Sequence, residues 1–563
     1  MDMNELSILE ELKELYGEKA EEVKKQVDAV IEKYRSSLPH YEKRLSEKDV
    51  VLITYADTIC REGQFPLETL DEFLDQNLDG LINTIHILPF FPFSSDDGFA
   101  VTDYYAVNPE FGTWEHIKCL SAKYHLMFDA VINHISKNSD WFKGFLAEEP
   151  DFADFFIEVD ENDERIKQVF RPRALPLVHK YPAKSGEIKS IWTTFSEDQV
   201  DLNYADGKVF AAMLELLLFY ISKGARLIRL DAIGFLWKRL GTSCLHLPEM
   251  HLVIQLYREI VESLTSGILF ITETNVPHKD NISYFGNGNN EAHMVYNFTL
   301  PPLLAFSLIT SNIQKLGRWL SGLALPSGEA CYFNFTASHD GIGLQPVKYI
   351  LTGEEIAKLE HQAKANNGFV SYKDNPDGTR SPYELNCSYL NIVSNPNDSQ
   401  QLITQKFMLT QAFMLTLPGL PGIYIHSLLG TQNDLAAVEK SGIKRRINRS
   451  KLNYDKLLET LSEEGSLRNL VFTEYKKLLQ IRRSYKWFDP FLGFETKTKG
   501  NQVIVIQKKR GKKRFWAVFN FSDKAHNFHL CQNIKVKNLM TGDVEHSDKI
   551  FIEPYAYHWY ESV

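Results

Sequence analysis

With 563 residues the chain is too long for one small core and has room for a large domain with additions. Hydrophobic residues at 44% and charged residues at 24% lie in the ordinary globular range, which excludes a disordered chain. A formal charge of −11 excludes the basic surface that non-specific nucleic-acid binding needs.

Residues 1–48 read as a helical extension. Leu6, Leu9, Leu12 and Leu15 recur at three-residue spacing among Glu and Lys, and Val23, Val27, Ile31 and Tyr34 continue an apolar stripe. The same segment is charged from the start and has no basic stretch leading into an apolar run, so no secretory leader is expected. Around Leu214 to Gly224, LELLLFYISKG is too short to span a bilayer and reads as a buried helix. No membrane partner is expected. Cys60, Cys119, Cys244, Cys331, Cys387 and Cys531 are scattered, with no CxxC pair and no Cys/His metal spacing, which points to reduced thiols, a cytoplasmic location and no metal.

From residue 49 short β-branched runs alternate with amphipathic helices. The candidate strands are VVLITYA, INTIHILPFF, LMFDAVINH, ARLIRLDAI, ILFITET, HMVYNF, YFNFTASHD and GIYIHSLLG. Buried runs separated by helices imply parallel strands with crossover connections, and eight of them imply an α/β fold, a (β/α)8 TIM barrel. A doubly wound sheet competes, but no GxGxxG follows any strand. The barrel is expected over 49–134, 205–341 and 402–485. Two inserted subdomains, 135–204 and 342–401, are long enough to rise over its catalytic face. Short alternating strands over 486–563 suggest a C-terminal antiparallel β domain.

Polar residues end the strands repeatedly: Asp129, Asn133 and His134; Arg229 and Asp231; Glu273; His339 and Asp340. A single strand-end Asp is often a helix cap, and a single His is often a satisfied packing residue. Four acidic strand ends are hard to explain that way, because carboxylates gathered in one cleft repel. Two facing carboxylates suit glycosyl transfer: one attacks the anomeric carbon, and the other, held protonated, gives its proton to the leaving oxygen. Arg229, two residues before Asp231, points to the same side of its strand and would keep Asp231 ionised. Glu273, between Thr272 and Thr274, has no cation beside it in sequence and so suits the protonated role.

DAVINH, RLIRLDAI, ITET and ASHD, in this order, resemble the four signature regions of the α-amylase superfamily, glycoside hydrolase family 13. The resemblance covers nearly all of residues 49–563. It implies that Asp231 is the nucleophile, Glu273 the acid/base and Asp340 the transition-state stabiliser, with His134, Arg229 and His339 shaping a glucose pocket. Further segments, SSDDGFAVTDY, FRPRALPL, TTFSEDQVDLNY, GTSCLHL, LPPLL and RRINR, resemble the sucrose phosphorylase branch. By that similarity Asp96 pairs with Arg449 to close the far end of a one-glucose site, Phe99 and Phe195 line the sugar's faces, and Gln199 favours phosphate over water. Arg173 would bind phosphate with Tyr383 as its partner, although Arg171 and Arg173 also read as a surface ion-pair cluster.

In that branch the acceptor loop carries an acidic residue and a glutamine around the tyrosine, whereas here Ser381 and Glu384 replace them. Arg380 would pair with an anionic acceptor, or else is a solvated loop charge. These departures and phrases such as VLITYAD, ITETNVPHKDN, EAHMVY and NPDGTRSPYE resemble the glucosylglycerate phosphorylases. The expected reaction is retaining phosphorolysis of an α-glucoside, with glucosylglycerate first and sucrose, sucrose phosphate and glucosylglycerol as alternatives. A hydrolase or transglucosidase of the same fold is a further alternative; a non-catalytic binding subunit is disfavoured because all three acids are kept. The implied partners are the α-glucoside, inorganic phosphate and, left open, a second copy of the chain. No cofactor is implied.

Overall fold

In a computed structural model, residues 3–375 and 378–563 are described; Pro376 and Asp377, and the side chains of residues 3–6 and 531–533, lie outside the description. The expectations on Leu6 and Cys531 therefore fall outside the described side chains. The eight candidate runs form one closed parallel barrel: β1 Val51–Thr54, β2 Thr84–Ile87, β3 His125–Ala130, β4 Ala225–Leu230, β5 Leu269–Thr272, β6 Met294–Tyr296, β7 Cys331–Asn334 and β8 Leu420–Tyr424. Neighbours in sequence are neighbours in space, and β1 pairs in parallel with both β2 and β8. Helices cover the outside while side chains fill the inside, so the strands are buried on both faces, which is why they read as apolar runs without alternation.

The extension is two helices, α1 Met3–Tyr16 and α2 Ala20–Tyr34, packed on α3 Gly207–Ser222 and α4 Pro248–Leu264. Val23, Val27, Ile31 and Tyr34 are buried, as the stripe predicts. The fit against α3 is close: a Cβ added at Gly207 would meet Val23 Cγ2 at 2.0 Å. Tyr16 Oη donates to the Tyr204 carbonyl at 3.1 Å, and Tyr204 Oη in turn donates to the Ile132 carbonyl at 3.0 Å, two residues before His134.

The first insertion carries two small antiparallel pairs, His134–Ser136 with Gln199–Asp201 and Val178–Pro182 with Ile188–Trp192. The second carries a helix, Gly353–Ala365, and a three-stranded sheet in which Arg380–Asn386 lies between Ile342–Gly343 and Phe369–Asp374. The terminal sheet has six antiparallel strands from Glu495 to Ser562. IFIEPYAYHWY is two strands, Val544–Ile552 and Tyr557–Ser562, because Pro554 cannot donate to a ladder and Tyr555 turns through the left-handed region at φ 52°. Among the described residues no helix is long and apolar enough to cross a membrane.

Candidate active site

A cavity of about 310 Å³ opens over the C-terminal ends of the strands, beneath the two insertions. Asp231, Glu273, His339 and Asp340 reach it from β4, β5 and β7, and His134 from the segment after β3. Asp96, Phe99, Arg173, Phe195, Gln199, Tyr383 and Glu384 also line it, from loops and insertions. Arg229 and Arg449 are buried just behind this lining.

Strand register brings the acidic side chains together. Arg229 lies level with Asp129 on β3 and with Ile271 on β5, two residues before Glu273. Its guanidinium donates to Asp129 and, at 2.6 Å, to Asp231 Oδ1, while Nη2 is 3.6 Å from Glu273 Oε2. Asp129 is further fixed by His86 Nε2 at 2.7 Å. Glu273 Oε2 accepts the Ala232 N–H at 3.2 Å.

Two expectations need correcting. Glu273 does have a cation nearby, supplied by the adjacent strand rather than by its own. Nor does Arg229 alone fix the charge on Asp231, because three carboxylates share its single charge. Burial, ahead of the opposing pull of Arg229, pushes Asp231 up to about 8 and raises Glu273 as well. The two carboxyls therefore hold a proton between them at neutral pH. The ion pair to Asp231 is the shorter, so the charge rests on Asp231 and the proton on Glu273.

At the glucose end, Phe99 stacks on His339 with centroids 4.8 Å apart and planes 5° from parallel. Burial pushes the His339 imidazole down to about 3 and that of His134 to about 4, so both are neutral hydrogen-bonding groups. His134 Nε2 is 2.9 Å from the Phe99 carbonyl, and Gln199 Nε2 donates to the same oxygen at 3.2 Å. Asp96 and Asp97 both turn through the left-handed region, at φ 52° and 50°. Gly98 follows at φ 113°, and a Cβ there would strike the Pro89 carbonyl at 2.6 Å. This tight turn aims both acids at arginines, though not as the sequence suggests. Arg449 Nη1 is 2.7 Å from Asp97 Oδ2 and 4.0 Å from Asp96 Oδ1; Asp96 instead receives Arg173 Nη2 at 2.9 Å. Arg446 adds a second cation to Asp97 at 2.8 Å.

At the opposite end, Arg173 also lies over the Phe195 ring, 5.5 Å from its centroid. That places it in the cavity and sets aside a surface ion-pair cluster. Burial raises the Tyr383 phenol well above its ordinary value, so it is a neutral donor. Arg380 is not in the cavity. It faces Asp374 across the hairpin, paired at 2.9 Å, with its side chain 71% exposed. Glu384 lines the cavity but is already engaged, accepting from Asn386 at 2.5 Å and gripped by Arg445.

Arg445 is the main residue the sequence reading passed over. Its Nη1 is 2.6 Å from Asp340 Oδ1, and its Nε and Nη2 donate to the two oxygens of Glu384 at 3.1 and 2.7 Å. Burial disfavours the Asp340 anion, but Arg445, His339 and Arg449 outweigh it and hold the carboxyl below its ordinary range. The available signal was RRINR itself, with three arginines in five residues at a strand-end loop. Among the described residues no group of three or more His, Cys, Asp or Glu side chains is arranged to hold a metal ion.

Residues 76–319 match the model of the α-amylase catalytic domain. A glucosylglycerate phosphorylase of Escherichia coli is 43% identical over 518 residues, covering 92% of both chains. Another, of Spirochaeta thermophila, is 47% identical and covers 84% of this chain and 82% of its own. Among solved structures, the sucrose 6F-phosphate phosphorylase of Thermoanaerobacter thermosaccharolyticum superposes with a TM-score of 0.75 at 24% identity, over 90% of this chain and 98% of that one. The chain thus belongs to the glucosylglycerate phosphorylase family, in the sucrose phosphorylase branch of the α-amylase superfamily.

Proposed function

We propose that the enzyme converts 2-O-α-D-glucosylglycerate and phosphate to α-D-glucose 1-phosphate and D-glycerate, with retention. The observation that carries this reading is the pair of cavity arginines, Arg173 and Arg445, on the same cavity as a buried nucleophile and acid. Guanidinium groups there suit two anions, a carboxylate and a phosphate, better than neutral sugar or water. The names and identities of the relatives support the same choice.

Asp231 attacks the anomeric carbon while Glu273 gives its proton to the glycosidic oxygen, and glycerate leaves. The sugar is then an ester of Asp231, and Glu273 is a carboxylate. Phosphate enters, Glu273 takes its proton, and a phosphate oxygen displaces Asp231 from the same face that glycerate left. Asp340 receives the hydroxyls of the bound glucose, Asp96 lines its far end with the Asp97–Arg449 pair behind it, and Phe99 and Phe195 cover its apolar faces. Arg173 grips the incoming phosphate, with Tyr383 donating beside it. Gln199, fixed on the Phe99 carbonyl, keeps the intermediate turned toward phosphate rather than water. Phosphate, the glucoside and a cytoplasmic setting belong together, and the five described free cysteines suit that compartment.

The test is phosphate release from α-glucose 1-phosphate with a panel of acceptors. Release with D-glycerate and not with fructose is expected. Release with fructose alone would overturn the substrate and leave the double displacement intact.

A further inference from the structure

The cation that sequence assigns to an acidic acceptor, Arg380, is outside the cavity and already paired. The acceptor's charge must therefore be read by another group, and this inference rests on the phosphorolytic reading above. In a 2-O-glucosylated glycerate the carboxylate is attached to the same carbon as the glycosidic oxygen. It must lie close to the acid that protonates that oxygen, Glu273.

We infer that Arg445, held in place by Glu384, is the specificity residue that binds the acceptor's carboxylate. A guanidinium carries five N–H bonds in a fixed plane. Nε and one bond of Nη2 go to Glu384, and Nη1 faces Asp340, so each terminal nitrogen keeps a further N–H. The side chain is 26% exposed and lines the cavity, whereas Glu384 is only 3% exposed. Arg445 lines the same cavity as Glu273 and is bonded to Glu384, next to Tyr383 on the inserted hairpin. Arg173, the other cavity arginine, is paired with Asp96 and, among the described residues, has no ion pair to Glu384 or Asp340.

Glu384 is then a positioning residue. Its two oxygens take one edge of the guanidinium and fix the plane in which the free N–H bonds point. Close packing holds Glu384 itself: a Cβ at Gly341 would meet Glu384 Cγ at 2.5 Å and the Leu385 carbonyl at 2.5 Å. A carboxylate brought beside Glu273 would, by its charge, make that acid harder to ionise, and Arg445 at the same point limits the effect. The two anions of the reaction would thus rest on different arginines, glycerate on Arg445 and phosphate on Arg173.

The decisive measurement compares Arg445→Gln and Arg173→Gln, each assayed with D-glycerate and with glycerol as acceptor, and with phosphate in the forward direction. Arg445→Gln is expected to raise the KM for D-glycerate by about 30-fold, the usual weight of a hydrogen bond to a charged group, and to lower the ratio of D-glycerate to glycerol turnover. Arg173→Gln should raise the phosphate KM more than the glycerate KM. Glu384→Gln should reproduce the Arg445 pattern in weaker form, and Arg445→Lys should recover part of the glycerate preference. A glycerate-to-glycerol ratio unchanged in Arg445→Gln would overturn the inference, as would equal shifts for both anions in both variants. A wild-type enzyme inert with D-glycerate would overturn the substrate reading and this one with it; an active one that keeps its glycerate preference without Arg445 overturns this one alone.

Discussion

The two ends of the cavity are built differently. The glucose end rests largely on the barrel: Arg229 is within β4, and Asp231 and Glu273 directly follow β4 and β5 with their N–H groups bonded to the neighbouring strand. His339 and Asp340 follow β7 on a segment whose carbonyls accept from Arg449 and Asn448. The acceptor end is made of parts outside the barrel, with Arg173 from the first insertion, Tyr383 and Glu384 from the central strand of the second insertion's sheet, and Arg445 from a short 3-10 turn before Leu452. The first end must hold the chemistry to a fraction of an ångström, and rigid strands do that. The second must release one anion and admit another, a task for segments set over a fixed scaffold.

The largest effect is expected where the rigid end does chemistry. Asp231→Asn removes the proposed nucleophile and should lower phosphate release by about 10⁵-fold, read in a direct assay with α-glucose 1-phosphate. Residual turnover above a hundredth of wild type would show that another group attacks. The same change should stabilise the fold. The coupled pair of Asp231 and Glu273, with Asp231 raised from 3.8 to about 8, keeps between its two carboxyls a proton that the unfolded chain has lost, so folding takes up a proton between those pH values and stability declines as pH rises through that window. Asn has no proton to lose. The melting temperature of Asp231→Asn should therefore exceed that of wild type above pH 8, and the difference should vanish below pH 3.8. A difference independent of pH would show that burial of this carboxyl is not its source. Glu273→Gln comes next, with a loss of about 10²–10⁴-fold that shrinks for a donor whose leaving group needs no proton.

A change at the far glucose end separates the two regions. Asp97→Ala frees Arg449 and Arg446 from their shorter pairing and should lower kcat/KM by about 10- to 100-fold for glucosylglycerate and for α-glucose 1-phosphate alike, since both present the same sugar. The KM values for free phosphate and D-glycerate should stay within about two-fold, on the rule that separated sites act independently. Unequal losses for the two donors would break the division of the cavity into two ends.

The division also explains what could be read in advance. Apolar runs, helices and strand-end acids are local patterns, so the barrel and the residues Asp231, Glu273 and Asp340 were legible in order along the chain. The neighbours of Glu273 were not, because Arg229 approaches it across a strand pair rather than along the sequence. The same holds for Asp97, which the sequence reading does not single out, because two successive left-handed residues turn Asp96 and Asp97 toward different arginines. The acceptor end was least legible. Arg445 is separated from Glu384 by 61 residues, and no periodicity links two segments that meet only after the barrel has closed.

The smallest effect is expected at Arg380, and it bears most directly on where the acceptor end stops. Its partner, Asp374, is itself 51% exposed, and an exposed pair of this kind contributes little. Arg380→Ala should leave the KM for D-glycerate within about two-fold, because solvent screens a charge held outside the cavity. The comparison with Arg445→Gln then decides between the arginine that the sequence reading assigns to the acceptor and the one that the cavity presents. Arg380 starts the strand that carries Tyr383 and Arg445 lies on a separate 3-10 turn, and both would attract a carboxylate if they reached one. What separates them is placement. The hairpin carries Arg380 to its outer end opposite Asp374, while Arg445 is drawn inward by Asp340 and Glu384. A ten-fold rise in glycerate KM for Arg380→Ala would mean that the hairpin folds inward over the bound acceptor, and the boundary of the site would have to move out to include it.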